Sequence, residues 1–323
     1  MHYLITGSSG FIGSRLLERL FKEKRNIKIL GRKNIIKRNI NFFKYDLRNN
    51  NIPKEAFINV DTVVHCAGIA HDTESKLYLA SDYNLINFIS TMRLAKLASE
   101  QGVNNFIYIS SVKAAPFREN IPNDETSVSE PEDEYGYSKR NSENALLELQ
   151  KSINMSIIII RPALVYGDDV AGNLRNMIEK IDKNFFPPIP RIENKRSMVH
   201  IDYLIDFILN ITQYKNTKGQ IFIIADKKTY TITEIYDSIY YNLKNKRKKF
   251  ALPHTLFFAM SIIGDVFNKF FYFPFNSNIY KKLFSDDYYS TQKSEKYIFS
   301  NKDYDLNSSM KSIIYSYKKN KAK

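Results

Sequence analysis

The sequence predicts an α/β fold, a doubly wound parallel sheet followed by a smaller, mixed C-terminal lobe. Three observations lead there. Short β-rich runs alternate with helical patterns through the first half, as strands and crossover helices of a parallel sheet do. Several of those runs are continuously apolar, most plainly the four isoleucines at 157–160, and such strands are buried on both faces. The first run ends in a glycine-rich turn that opens an amphipathic helix.

Taken in order, residues 3–6 form the first strand. A helix over 11–24 follows, with Phe11, Leu16, Leu17, Leu20 and Phe21 on one face. Strands are expected at 27–30, 42–45 and 62–66. A helix over about 81–101 stops at Gly102, a fitting C-terminal cap. Residues 106–110 make the fifth strand, and 157–160 another just before Arg161-Pro162. Beyond residue 165 the pattern loosens. Helices are expected at 173–183, 202–213 and 231–243, the last opened by a capping box of Thr231 and Glu234. Residues 220–225 read as a strand returning to the main sheet. The lysine-rich end, 318–323, is expected to fray. Seven carboxylates and no Lys or Arg lie between Glu119 and Glu134, and are expected to form an outward-facing, solvated loop.

Composition narrows the function. At 323 residues, with 43% apolar and 25% charged residues, the chain is about twice a ~150-residue domain and has ample core. Its net charge of +14 favours anionic partners without choosing among them. A single cysteine, Cys66, excludes an internal disulfide framework, and with scattered histidines no metal site is expected. The chain runs from Met1 directly into the first strand without a basic leader or apolar stretch, and the longest apolar run, 256–264, is too short to span a bilayer. A cytoplasmic location is therefore expected.

Residues 6–13 read Thr-Gly-Ser-Ser-Gly-Phe-Ile-Gly. A glycine triad alone also occurs in ordinary turns, but here it follows a strand and opens a helix, the context of a dinucleotide loop. Gly7 allows the tight turn, Gly10 lets a pyrophosphate approach, and Gly13 lets helix pack on strand. Gly7, Ser9, Gly10, Phe11, Ile12 and Gly13 then present helix N–H groups to phosphates. The fold is thus Rossmann-type, with the dinucleotide-binding domain at 1–165, 197–225 returning to it, and the substrate lobe at 166–196 and 226–323. An NAD site usually offers a carboxylate to the ribose 2′-OH at the end of the second strand. This strand ends in Gly31-Arg32-Lys33, and no carboxylate follows until Asp46. Arg32 is suited to a 2′-phosphate, which favours NADP(H), with NAD(H) the alternative and a merely solvated basic face the plainer one.

Residues 135–139 read Tyr-Gly-Tyr-Ser-Lys. Tyr135 and Lys139, four apart, share a helix face, and an ammonium beside a phenol favours the phenolate and acid–base work. Tyr137 lacks that spacing. Ser110 and Ser111, at a strand end where ligands bind in such sheets, can donate to a reacting carbonyl.

With these residues in order, the chain resembles the extended short-chain dehydrogenase/reductase family, in particular its nucleotide-sugar epimerases, dehydratases and reductases. The matching pieces are 6–13; Tyr45-Asp46-Leu47; His65-Cys66-Ala67-Gly68; Asn84; Ser110-Ser111; 135–139; Arg161-Pro162 through Tyr166-Gly167; and 196–202. The resemblance implies catalysis by Ser111, Tyr135 and Lys139. It implies a cofactor held further by Asp46, Leu47, Cys66, Ala67, Gly68, Asn84, Arg161 and Pro162, with Lys139 on the ribose. It implies Asn173 and Arg196 near the diphosphate of a nucleotide sugar, most simply a UDP-sugar, with a surface ion pair the equal alternative for Arg196, and a homodimer. Ser110, His71 and Lys113 are read as further sugar contacts, with solvated loop side chains the plainer alternative for the last two. Dehydratases of the family place an Asp-Glu pair directly after the active-site hydroxyl; here Val112-Lys113-Ala114 stand there, which disfavours 4,6-dehydration. The Ser-Ser-Val-Lys and Arg-Ser-Met-Val-His-Ile-Asp segments are similar to a bacterial surface-polysaccharide subgroup. The resulting expectation is a UDP-4-keto-6-deoxy-N-acetylhexosamine reductase, ahead of a UDP-sugar 4-epimerase retaining NAD and a non-catalytic NADP(H) sensor. No aromatic–basic RNA-binding pattern accompanies the charge, so nucleic acid is not an expected partner. Attachment to a membrane surface through 244–275, basic and then aromatic-rich, is set below a plainer reading of that stretch as a folded, core-like helix over the sugar site.

Overall fold

The computed structural model describes residues 1–34, 40–69, 78–121, 123–246, 251–268, 275–297 and 304–322. In chain order the elements are β1 (His2–Thr6), α1 (Phe11–Lys22), β2 (Asn26–Gly31), β3 (Asn41–Lys44), β4 (Thr62–His65), α2 (Ala80–Tyr83), a π-helical segment (Asn84–Ile89), α3 (Ser90–Glu100), β5 (Asn105–Ile109), a 3₁₀ turn (Val112–Ala114), α4 (Glu134–Gln150) and β6 (Ser156–Pro162). There follow β7 (Leu164–Tyr166), α5 (Gly172–Asp182), β8 (Arg196–His200), α6 (Ile201–Ile211), β9 (Gln220–Ile224), β10 (Thr229–Tyr230), α7 (Ile232–Lys244), α8 (His254–Phe267), α9 (Ser277–Phe284), α10 (Gln292–Glu295) and α11 (Leu306–Lys321).

The chain divides into two compact units. The first comprises Met1–Val165, Ile201–Ala225 and Tyr289–Lys302. Its sheet has the order β3-β2-β1-β4-β5-β6-β9, and every pairing in it is parallel. The order reverses at β1, which pairs with β2 on one side and β4 on the other, so the crevice for a ligand opens beyond the carboxyl ends of β1 and β4. The central strands are apolar on both faces because helices cover both; all four residues of β4, and residues 157–162 of β6, are buried. Leu16, Leu17 and Leu20 of α1 face inward as expected. Phe21, assigned to the same face, is instead 36% exposed, and the outer side of α1 is fixed to α6 by Arg15–Asp202 and Arg19–Asp206 ion pairs. The helix expected over 81–101 carries the π turn near its start, and Gly102 follows it at φ +75°.

Within this unit α4 is tied to the sheet by a buried ion pair. Arg161 of β6 is 3% exposed and donates through Nε and Nη2 to the Glu143 carboxylate at 2.9 and 2.6 Å, while the Ser110 hydroxyl donates to the same carboxylate at 2.5 Å. Buried charge is tolerated only where partners replace water. The acidic stretch before α4 is also anchored. Glu125 accepts the Ile223 N–H at 2.8 Å, Ser129 donates to the Pro116 carbonyl, and Asp133 caps α4. The solvated loop expected at 119–134 is thus corrected in part, because its buried Ser127, Ser129 and Pro131 hold it down.

The second unit comprises Tyr166–His200, Asp226–Tyr288 and Asp303–Lys323. Its small sheet has the order β10-β8-β7. The buried Asp226 carboxylate organises it, accepting from the Tyr166 and Tyr230 hydroxyls and the His200 N–H; burial raises its pKa to about 6. The capping box of α7 forms as expected, with Thr231 and Glu234 bonding each other's backbone at 2.9 and 2.8 Å. The expected frayed end is a correction, because α11 runs to Lys321. Asp305 caps it, Leu306, Met310, Ile313, Ile314 and Tyr317 are buried, and Lys321 pairs with Asp182 at 2.7 Å. Among the described residues, no helix is long and apolar enough to cross a membrane.

Arg161→Met leaves the Glu143 carboxylate buried with one hydroxyl for company. A loss of about 3–5 kcal/mol is expected in urea unfolding, against less than about 1 kcal/mol for Lys151→Ala, which removes an exposed i,i+3 pair with Glu148.

Candidate active site

The glycine loop joins β1 to α1 where the crevice opens. Gly7 has φ +71°, and a Cβ there would sit 2.6 Å from the Ala67 nitrogen; a Cβ on Gly13 would sit 2.2 Å from the Gly7 carbonyl oxygen. Gly13 therefore lets the helix approach its own loop rather than the strand. Gly10 is the N-cap of α1, and no side chain caps the helix. Ser9 and Gly10 are exposed, and Phe11 and Ile12 half-buried. This is an uncapped helix N-terminus above a cradle that side chains would fill, which fits a dinucleotide's diphosphate.

The turn after β4 closes the other side of the loop. The Ala67 N–H bonds the Thr6 hydroxyl at 3.2 Å, and Asn87 holds the next step: its Oδ1 accepts from Ile69 N at 2.7 Å and its Nδ2 donates to the Ile69 carbonyl at 3.0 Å. Gly68 permits this, since a Cβ would lie 2.8 Å from Asn87 Oδ1. Asn84, the expected cofactor residue, is exposed instead, and the π turn delivers Asn87 to the site. His65 bridges Thr6 and Thr91 at 2.6 and 2.8 Å and is held neutral, its pKa pushed down to about 3 by burial and by the Lys139 charge. Cys66 shares this setting, and burial pushes its thiol up to about 12. Asp46 accepts its own turn's Arg48 N–H at 2.9 Å, Leu47 packs against Ile69, Tyr83 and Ile86, and Arg32 is exposed just past β2.

Ser111, Tyr135 and Lys139 do come together. Asp133 accepts the Gly136 N–H at 2.9 Å and starts α4. A Cβ on Gly136 would lie 2.6 Å from the Lys113 carbonyl oxygen, so only glycine lets the helix start settle on the 3₁₀ turn after β5. Tyr135 consequently lies within reach of the Ser111 hydroxyl. Lys139, 6% exposed, donates to the Ile109 carbonyl at 2.9 Å, and its Nζ lies 5.8 Å from the Tyr135 ring centre and 4.7 Å from that of Tyr108. Burial lowers the Lys139 pKa to about 8, partly offset by Glu143. Burial raises that of Tyr135 to about 12, with the Ser111 hydroxyl pulling it down. The expected phenolate-favouring effect of Lys139 is thus outweighed by desolvation. Tyr137 points outward, 42% exposed.

Other expected contacts are placed elsewhere. Ser110 and Arg161, expected at substrate and cofactor, are spent on Glu143; Pro162 is a buried residue of β6, in register with Ile224. Lys113 is half-buried in the 3₁₀ turn. In the second unit Asn173 is exposed in the first turn of α5. Arg196 donates to the Lys282 carbonyl at 2.9 Å and lies 3.7 Å from Asp287, closing the end of α9. His71 lies outside the described residues. Two residues that sequence reasoning missed carried a signal. Glu143 continues the four-residue step of Tyr135 and Lys139, and Asn87 follows Asn84 by three. Among the described residues, no group of three His, Cys, Asp or Glu side chains is placed to hold a metal.

Lys139→Met should abolish activity and yet stabilise the protein. With a pKa of about 8 folded and 10.5 ordinarily, the lysine is harder to charge in the fold, so its ammonium costs stability at every pH below about 8. Between 8 and 10.5 the unfolded chain binds more protons and wild-type stability rises. The expected gain for the variant is about 1–3 kcal/mol at neutral pH, after the lost bond to Ile109, and it vanishes above pH 10.5. Denaturant titrations at the two pH extremes measure it.

Comparison with known proteins agrees with this architecture. A UDP-glucose 4-epimerase of Vibrio cholerae is 30% identical over 278 residues, 82% of each chain. The N-acetyl-alpha-D-glucosaminyl-diphospho-ditrans,octacis-undecaprenol 4-epimerase of Escherichia coli O157:H7 is 26% identical over 273 residues, 82% of this chain and 80% of that one. Among solved structures, UDP-glucose 4-epimerase of Thermotoga maritima with UDP-glucose superposes with a TM-score of 0.75 at 19% identity, covering 99% of both chains. MoeE5 in complex with UDP-glucose and NAD gives 0.78 at 17% identity, over 100% of both. At those identities the likeness is one of fold. The sequence model of the NAD dependent epimerase/dehydratase family matches residues 3–225, and the chain belongs to that family.

Proposed function

We propose that the protein is a 4-epimerase of UDP-linked sugars, with UDP-N-acetylhexosamines as its substrates and Tyr135 as the group that moves the proton. The observation that carries this reading is the gathering of Tyr135, the Ser111 hydroxyl and the Lys139 ammonium beside the tyrosine ring. The similar 4-epimerases of Vibrio cholerae and Escherichia coli support C4 as the reacting carbon. The glycine loop and the uncapped start of α1 hold the diphosphate of the dinucleotide, and Lys139, with two N–H groups beyond its bond to Ile109, is the donor for its ribose. When bound, NAD(P) supplies reversible hydride transfer at the sugar carbon. As the phenolate, Tyr135 accepts the C4 hydroxyl proton as that carbon becomes a ketone and, now a neutral phenol, returns it afterwards, while Ser111 hydrogen-bonds the same oxygen. In the cofactor-free chain burial holds Tyr135 neutral to about pH 12, so it acts as a base only after losing its own proton to solvent. The Lys139 ammonium beside it, still mostly charged at pH 7, is the group that favours the phenolate. Val112 and Ala114, buried aliphatics directly after Ser111, leave no carboxylate for 4,6-dehydration.

A second reading, reduction of a UDP-4-keto-6-deoxy-N-acetylhexosamine by NADPH, is favoured by one observation: β2 runs into Arg32 and Lys33, without a carboxylate for a ribose 2′-OH. Incubation with UDP-GlcNAc or UDP-GalNAc separates the readings. The epimerase interconverts them with no net change in nicotinamide absorbance, and Tyr135→Phe lowers kcat by about 10²–10⁴-fold. Stoichiometric loss of NADPH with the 4-keto sugar, and no interconversion, would install the reductase. In that case Arg32→Ala should weaken NADPH by about ten-fold or more while sparing NADH.

A further inference from the structure

Helix α8 leaves much of its apolar surface exposed. Its buried residues are Phe257, Ser261 and Gly264, two of them small. Leu256, Phe258, Ile262, Ile263, Val266 and Phe267 are each between 42% and 55% exposed. With about 100° between successive residues, these six sweep about half the circumference, interrupted only by Thr255 in the first turn. Two polar groups of α8 are engaged on α9, where Asp265 accepts the Ser277 N–H at 3.2 Å and His254 bonds the Tyr280 hydroxyl at 2.7 Å, while Ser261 donates within α8 to the Phe258 carbonyl. The core-like cover expected at 256–264 is thereby corrected, since the apolar side faces solvent. A helix apolar all round is ordinarily covered all round, and a contiguous apolar patch of this kind marks an interaction surface.

Charge identifies the cover. By sequence, 244–282 holds eight Lys and Arg against Asp265 alone, half of the net +14 of the whole chain. Lys246, just past α7, and Lys281, on α9, are exposed. A second copy seated on this face would bring two such basic segments together, which Coulomb repulsion opposes. An anionic lipid surface attracts them instead. At 14 residues, α8 is about 21 Å long and cannot span a bilayer, but it can lie in the headgroup boundary with its apolar half inward.

We propose that α8 docks the protein on anionic lipid bilayers, its apolar face sunk at the headgroup boundary and the exposed Lys246 and Lys281 toward lipid phosphates. This holds whichever reaction the site performs. The test is sedimentation of the full chain with phosphatidylglycerol-containing vesicles and with pure phosphatidylcholine vesicles, alongside the triple variant Ile262→Ser, Ile263→Ser and Val266→Ser. Expected are co-sedimentation with the anionic vesicles only, weakening with salt, and an about ten-fold lower bound fraction for the variant, whose thermal unfolding confirms that it is folded. No pelleting of the wild type, equal pelleting with phosphatidylcholine, or undiminished pelleting of the folded variant would overturn the proposal. So would a dimer that the variant abolishes without any vesicle binding, which would give the face to a second copy.

Discussion

The first unit depends on how closely α4 begins against the backbone after β5. Gly136 allows the approach, because any side chain there would meet the Lys113 carbonyl. Once the helix is seated, one stripe of it sets three things in sequence along the sheet edge. Tyr135 reaches Ser111, Lys139 reaches the Ile109 carbonyl, and Glu143 takes Arg161 and Ser110. The candidate catalytic groups and the structural ion pair are therefore one construction, with the ion pair at its buried inner end.

Burial decides the electrostatics of that stripe. It outweighs the Glu143 charge at Lys139 and the Ser111 hydroxyl at Tyr135, and at His65 it acts together with the Lys139 charge, in each case favouring the neutral form. In the cofactor-free chain the tyrosine is neutral. The lysine holds its charge at some cost to the fold, a strain of the kind that active sites carry and cores do not.

Local chemistry was legible in the sequence. The glycine loop, the capping box of α7, the returning strand at 220–225 and the Tyr135/Lys139 pair each depend on residues within one turn or loop, and each formed. What was not legible depends on partners distant in sequence. A hydroxyl and an arginine beside the site, Ser110 and Arg161, were read as ligand contacts because nothing local reveals Glu143 between them. Asn84 and Asn87 differ by one helical turn, and a π turn decides which faces the 66–69 bend. The lysines at 318–321 look like a tail until the buried face of α11 is counted. An apolar run such as 256–264 reads as core, since a sequence does not state what stands opposite its side chains.

The most direct measurement is the titration of Lys139 by NMR of its labelled side chain in the cofactor-free protein, with Tyr135 followed by ultraviolet absorbance against Tyr135→Phe. A lysine titrating near 8 and a tyrosine staying neutral to about 12 are the predicted result. A lysine at its ordinary 10.5 beside a tyrosine ionised near neutrality would contradict the claim that burial, rather than the ammonium, sets this site.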